Sequence, residues 1–349
     1  MQNYLFFGII DIMLKNHKIV LTADRPTGKL HLGHFVGSIQ NRIKLQNEAD
    51  TSFYMIADIQ GLTDNANNPQ KIRDNVIEVA LDNLACGLDP KKTIMFIQSE
   101  IPEIAELTVI FLNLVTLARL KRNPTVKDEM KQKGFGENVP AGFLCYPVSQ
   151  TADILFAKAN LIPVGEDQLP VIEQANEIVE TFNRYYGETF NKINHLTGNT
   201  GRLVGTDGAT KMGKSLDNGI YLSDSKEIIS KKVMNMYTDP GHIHVEDPGK
   251  VEGNVVFKYL DIFDPNKEEV EELKKQYKKG GLGDVIIKKR LIEVIESIIE
   301  PIRTKRETLA KDKDIIMKIL EDGTKKAREV AKETMSEVRK VMKINYFNL

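Results

Sequence analysis

Four short apolar runs recur through the N-terminal half of the chain, each cut off by turn residues and followed by a stretch with helical spacing. "KIVLTAD" (Lys18–Asp24), "TSFYMIAD" (Thr51–Asp58), "KTIMFIQS" (Lys92–Ser99) and the run inside "ANLIPVGEDQ" (159–168) read as buried strands. Between them, Leu32, Phe35, Val36, Ile39 and Ile43 fall on one helical face, as do Ile72, Val76, Val79, Ala80 and Leu84. Further helices are expected from about Pro102 to Leu120, after Pro147 in "YPVSQTADILFAK", and over Glu173–Tyr186. Strand–helix alternation implies a Rossmann-like α/β fold, a parallel sheet with helices on both faces. From Ser223 onward strand signals stop. Helical periodicity takes over, with breaks expected near Asp239–Gly241, Gly280–Gly283 and Gly323. The chain of 349 residues suggests about two domains by the usual ~150-residue prior. The expected division is an extension over 1–17, a Rossmann-like α/β domain over 18–215 and an all-helical domain over 216–349. "KRNPTVKDEMKQKGFGENVPAG" reads as a long loop, functional or mobile at that length.

In such sheets ligands bind beyond the carboxyl ends of the strands, near the switch in strand order. The chemically suggestive residues fall there: Thr22–His34, 97–100 and 165–168. The stretch "TADRPTGKLHLGH" places two of the chain's six histidines, His31 and His34, three residues apart at a strand-to-helix junction. A metal pair would want a third ligand, and the other histidines are isolated. A plain helix start is one reading. An anion site is another: Thr27 and Gly28 precede a helix N-terminus, and Gly33 leaves room for a ring or phosphate. No G-x-x-x-x-G-K-[ST] and no G-x-G-x-x-G occurs. Far downstream "TKMGKS" (Thr210–Ser215) follows a Gly-rich approach. Alone it is a basic loop. With the first stretch, Lys211 and Lys214 can close over a triphosphate and follow charge to the leaving pyrophosphate.

Net charge is −1, which gives no overall nucleic-acid signal. From Pro265 to Leu349, however, Lys and Arg exceed Asp and Glu by five. That excess is either a solvated helical surface or an end that attracts a polyanion. The two cysteines, Cys86 and Cys145, form no framework, so a reducing cytoplasm is expected. "YLFFGII" is too short for a membrane span, so no membrane partner is expected.

"HLGH" and "KMGKS" resemble the two signature motifs of class I aminoacyl-tRNA synthetases. With "TADRPTGKLHLGHFVGSI", "FIQSEIPE", "SQTADILFAK", "IPVGEDQ" and "KMGKSLDNGIYL", the chain is similar to the bacterial tryptophanyl-tRNA synthetases from about Lys18 onward. The resemblance implies a ligase that activates L-tryptophan with ATP and Mg²⁺ and charges tRNA(Trp), in the cytoplasm, as a homodimer. It implies ATP contacts from Arg25, Pro26, Thr27, Gly33 and His34. Gly165, Glu166 and Asp167 would lie at the ribose, Leu203 at the adenine, and Lys211, Met212, Gly213, Lys214 and Ser215 at the phosphates. His31, His34, Lys211 and Lys214 would serve the transition state. Asp153 would accept the indole N–H, a choice with a physical reason: a large apolar ring offers one polar edge to read. Gln150 and Gln168 are further pocket candidates. Lys127 and Lys131 are either solvated or reach the phosphates. Three positions depart from the family pattern: Gly213 replaces a Ser, Arg25 replaces a Gln, and "GEDQLPVIEQ" lacks a His. A tyrosyl enzyme, a small H-x-G-H nucleotidyltransferase and a synthetase-derived RNA-binding protein are the alternatives. The helix after "FIQS", with Ile104, Leu107, Ile110, Phe111 and Leu114, is either core or a subunit interface.

Overall fold

The computed structural model describes residues 17–197, 203–208, 212–213 and 218–347. The possible extension over 1–17 therefore lies outside them except for its last residue. Five parallel strands form one sheet: β1 (Ile19–Asp24), β2 (Thr51–Ile56), β3 (Thr93–Ile97), β4 (Leu161–Val164) and β5 (Asn194–Thr197). Their order is β3-β2-β1-β4-β5, so the chain turns back between β1 and β4. That switch opens a crevice beyond the carboxyl ends of β1 and β4. The fifth strand has no counterpart in the apolar pattern. "NHLT" holds one apolar residue and is largely exposed, so pairing with β4 makes it a strand.

The crossovers are helical. α1 runs over 32–45, with a π turn at Phe35–Ile39. α2 (Asp58–Leu62) and α3 (Pro69–Cys86) follow β2. The helix expected from Pro102 to Leu120 is two: α4 (Pro102–Leu112) and α5 (Leu117–Arg122). The Thr116 side chain accepts from the Arg119 amide and starts the second. The expected long loop holds a further helix, α6 (Pro124–Lys133). Local chemistry sets both its ends: the Asn123 side chain caps it, Pro124 opens it, and Gly134 closes it at φ 67°. α7 (Ala141–Leu155) begins ahead of Pro147 and carries it inside, and α8 (Leu169–Tyr186) begins before Glu173. In α4, Ile104, Leu107, Ile110 and Phe111 are core, while Val109 is exposed.

The C-terminal part is helical: α9 (Lys226–Met234), α10 (Val255–Phe263), α11 (Lys267–Lys279), α12 (Asp284–Leu309) and α13 (Lys313–Val341). Gly323 does not break α13. It lets the helix lie against β3, where an added Cβ would run into the Met95 carbonyl oxygen. Beside it, Thr324 Oγ1 accepts the Ile97 amide at 3.2 Å, so α13 covers the sheet edge. One apolar cluster joins Leu32 and Ile39 of α1 and Val79 of α3 to Leu291 and Ile295 of α12. A second joins β2, α4, α7 and α8 to Ala327, Ala331 and Met335 of α13. The helical part thus shares both cores with the sheet. Among the described residues no helix is long and apolar enough to cross a membrane.

Candidate active site

At the end of β1, Asp24 accepts from Arg42 of α1 (2.7 Å), Tyr54 of β2 (3.1 Å) and Asn83 of α3 (3.2 Å). The Arg42 guanidinium is buried, 4.5 Å from the centre of the Tyr54 ring. Burial, the largest effect, would lower the Arg42 pKa, but the charge and hydrogen bond of Asp24 together with Tyr54 outweigh it and the pKa is raised. This network fixes the point from which the loop over 25–31 fans into the crevice.

The two histidines cap the helix that follows. The Gly33 amide donates to His31 Nδ1 (3.1 Å), and the His31 amide donates to His34 Nδ1 (3.3 Å). The rings lie 3.9 Å apart. The Leu32 amide is also taken, by Ile220 O at 2.9 Å. The amides expected to receive an anion are therefore already paired inside the protein. What the junction offers a ligand is imidazole: a ring whose Nδ1 accepts carries its proton on Nε2. Gly33 is a glycine for a related reason. A Cβ there would sit 2.9 Å from the His31 ring, so the glycine also lets that ring pack against the helix start.

The downstream stretch meets the first one directly. Residues 220–222 pair with 30–32 through Leu32 N–H to Ile220 O and Leu222 N–H to Leu30 O (3.0 Å). Met212 donates its amide to Leu203 O (3.1 Å), and Gly213 donates to Asn218 Oδ1 (2.9 Å). Lys211, Lys214 and Ser215 lie outside the described residues.

These elements enclose a cleft of about 1390 Å³. Arg25, Thr27, His31, Gly33, His34, Gly165, Glu166, Asp167, Leu203, Met212 and Gly213 all line it. Pro26 does not: it is buried beneath the loop, against Gly61. Across the mouth, Asp64 accepts from Lys133 of α6 (2.6 Å) and stands 3.5 Å from Arg25. Burial pushes the Asp64 carboxyl up, but the two cations outweigh it and hold it below the usual range. Of the lysines in α6 it is Lys133, and neither Lys127 nor Lys131, that lines the cleft.

A second chamber of about 330 Å³ opens from the first, sharing Asp24, Arg25, Gly165 and Gln168 with it. Met55, Phe143, Ile154, Ile162 and Val164 give it apolar walls. Gln150, Asp153 and Gln168, expected from the sequence, all lie in it. Asp153 is 2% exposed and accepts from Gln98 Nε2 at 2.7 Å. Gln98 Oε1 in turn accepts the Gln60 amide at 3.0 Å, which fixes the orientation of the Gln98 amide. Burial pushes the Asp153 carboxyl up to about 7, against the lowering effect of Gln98.

Sequence reasoning missed Gln60, Tyr146 and Glu129, which line this chamber, Gln98, which reaches Asp153, and Asp64 and Lys133 in the cleft. Gln98 stood in the quoted "FIQS" at a strand end, so a signal for it was present. Glu129 and Lys133 were hidden by reading α6 as loop. Burial raises the Glu129 carboxyl, against Arg25 and the neighbouring Tyr146.

Residues 13–300 match the family of class I tRNA synthetases (W and Y). The tryptophan–tRNA ligase of Clostridium longisporum is 58% identical over 335 residues, covering 95% of this chain and 98% of its own. That of Streptococcus agalactiae is 54% identical over 339 residues, covering 94% and 98%. Among solved structures, the tryptophanyl-tRNA synthetase of Campylobacter jejuni complexed with ADP and tryptophan superposes with a TM-score of 0.81. It is 30% identical and covers 93% of this chain and 99% of its own.

Proposed function

The chain belongs to the class I tRNA synthetases (W and Y), and on that premise we infer that it works as a tryptophan–tRNA ligase. One observation carries the substrate assignment. A buried carboxyl, hydrogen-bonded by Gln98, lines a chamber of mixed apolar and polar walls that opens into the cleft at Arg25 and Gln168. A large ring with one N–H fits that chamber, and its amino-acid end then faces the cleft. Arg25 and Glu129, both lining the chamber, offer the carboxylate and ammonium of tryptophan opposite charges.

The first step needs positioning and charge stabilisation more than covalent chemistry. A tryptophan carboxylate oxygen bonds to the α-phosphorus of ATP as the bond to the β-phosphate oxygen breaks and pyrophosphate leaves. In the second, a hydroxyl of the terminal adenosine of tRNA(Trp) attacks the acyl carbon and AMP leaves; the 2′-OH is the class I expectation. His31 and His34 are assigned N–H contacts to the phosphates from Nε2. Thr27, Gly33, Met212 and Gly213 line their path, and Lys211, Lys214 and Ser215 are assigned the charge that follows pyrophosphate. Gly165, Glu166 and Asp167 are assigned to the ribose and Leu203 to the adenine. Mg²⁺ is assigned as part of the nucleotide substrate, held by phosphate oxygens and water. The helical part over 216–349 is assigned the anticodon arm, supported by its excess of Lys and Arg after Pro265. A homodimer is supported by the exposed Val109 and Leu117, and cytoplasmic location by the unpaired Cys86 and Cys145.

Amino-acid-dependent exchange of pyrophosphate into ATP, run over all twenty amino acids, tests the reading. Exchange with tryptophan alone is expected. Exchange with tyrosine alone would overturn the substrate, and exchange with none would favour an RNA-binding protein without activation chemistry.

A further inference from the structure

Two arginines on α12, Arg303 and Arg306, lie three residues apart and grip different halves of the nucleotide cleft. Arg306 Nε donates to Asp82 Oδ1 at 2.7 Å, and its Nη2 donates to Glu78. The other oxygen of Asp82 accepts the Leu30 amide at 2.8 Å. Leu30 directly precedes His31 and pairs with Leu222 on its carbonyl side. Arg303 donates from Nη1 to Asp224 O at 2.8 Å and is itself paired with Glu296 at 3.0 Å. Asp224 accepts the Tyr221 amide and the Lys232 ammonium, each at 2.8 Å. Asp224 and Tyr221 both line the cleft, and Tyr221 bridges to His31.

Asp82 is fully buried. A buried ion pair contributes little net stability, because desolvation offsets most of its attraction. Asp82 is distinguished by the use of its second oxygen. It spends that oxygen on the backbone of the loop that delivers His31 and Gly33 rather than on another side chain. Asp82 thus ties the backbone amide that leads into the first signature to a cation of the helical part. Arg303 reaches the turn that follows the second signature directly, by donating to the Asp224 carbonyl.

We propose that Arg306 and Asp82 are positioning residues for ATP, with α12 bracing both signatures at once through Arg306 and Arg303. The proposal rests on the assignment of the cleft to ATP. None of Leu30, Asp82, Tyr221, Asp224, Arg303 and Arg306 lines the tryptophan chamber, which shares only Asp24, Arg25, Gly165 and Gln168 with the cleft, so the brace is expected to act on ATP more than on tryptophan. Removing Arg306 leaves Asp82 buried without its cation, and the Leu30 amide loses a fixed acceptor.

The test compares the full-length chain with Arg306→Ala, Arg306→Lys and Asp82→Asn. ATP binding is read by calorimetry, which needs no turnover. Tryptophan binding is read by the emission of the ligand, since the chain contains no Trp. Arg306→Ala is expected to weaken ATP binding about tenfold and to leave tryptophan affinity within about twofold. Arg306→Lys keeps the charge but not the fork, and is expected to recover part of the loss. Asp82→Asn keeps an acceptor for Leu30 and serves as the milder variant if Arg306→Ala does not fold. Equal weakening of both ligands, or unchanged ATP binding in a folded variant, would overturn the proposal. If the unaltered chain does not bind ATP at all, it is the cleft assignment that fails.

Discussion

The Gln98 amide and the Asp153 carboxyl form a 2.7 Å hydrogen bond, and both are all but closed to solvent beside the second chamber, which Asp153 lines. Gln98 is the one hydrogen-bond partner of Asp153 among the described residues, and the Gln60 amide orients it. The carboxyl is therefore poorly compensated, and burial raises it to about 7.

That value gives tryptophan binding a pH dependence of definite sign. An indole N–H donates best to the ionised carboxylate, so binding selects the deprotonated form. Affinity is expected to level off above pH 7 and to fall about tenfold per unit below it, because the proton must first be removed. Gln98→Met removes the donor that favours the charge, so the break point moves to higher pH. Asp153→Asn abolishes the break. Titration of ligand emission between pH 6 and pH 8.5 checks all three. Affinity that stays flat over that range in the unaltered chain would exclude an ionising Asp153 at the indole.

Asp64 carries a second prediction. It holds Arg25 and Lys133 together across the mouth of the cleft, joining the loop after β1 to α6. Both cations are about half exposed, so the pairs are worth ~1 kcal/mol or less in stability. Asp64→Asn keeps the shape and removes the charge that draws the two cations together. Exchange turnover is expected to fall about tenfold with a melting temperature nearly unchanged. A drop in melting temperature with turnover intact would mark the triad as scaffolding.

The parts of this arrangement legible in the sequence are those written in local patterns. Apolar runs ended by turn residues located four strands, and the residues at their carboxyl ends located the crevice. β5 escaped because its strand character comes from pairing with β4, and α6 because Lys- and Gly-rich composition masked its Asn123 cap and Pro124 start. The histidine junction was legible in place, and the part it plays in capping α1 was not. That His31 and His34 also cap their own helix, with Gly33 against the His31 ring, depends on side-chain geometry that no sequence pattern carries. Gln98, Asp64 and Asp82 act through partners 55, 69 and 224 residues away, and no single-sequence pattern carries such distances.

The last prediction concerns Gly323, where two effects of opposite sign compete. In an open helix interior, Gly→Ala stabilises by about 1 kcal/mol, because alanine is the better helix former. At Gly323 the new methyl group would overlap the Met95 carbonyl, which is fixed in the sheet and cannot rotate away. Overpacking of this kind costs about 1–3 kcal/mol, and more when backbone must move. The clash is expected to win, so Gly323→Ala destabilises the protein by about 2 kcal/mol in denaturant unfolding. The loss also carries a location. α13 would lift from β3, and the Ile97 amide would lose Thr324, so hydrogen exchange at Ile97 is expected to accelerate. A stabilised variant with slow exchange at Ile97 would mean that α13 does not lie this close to the sheet.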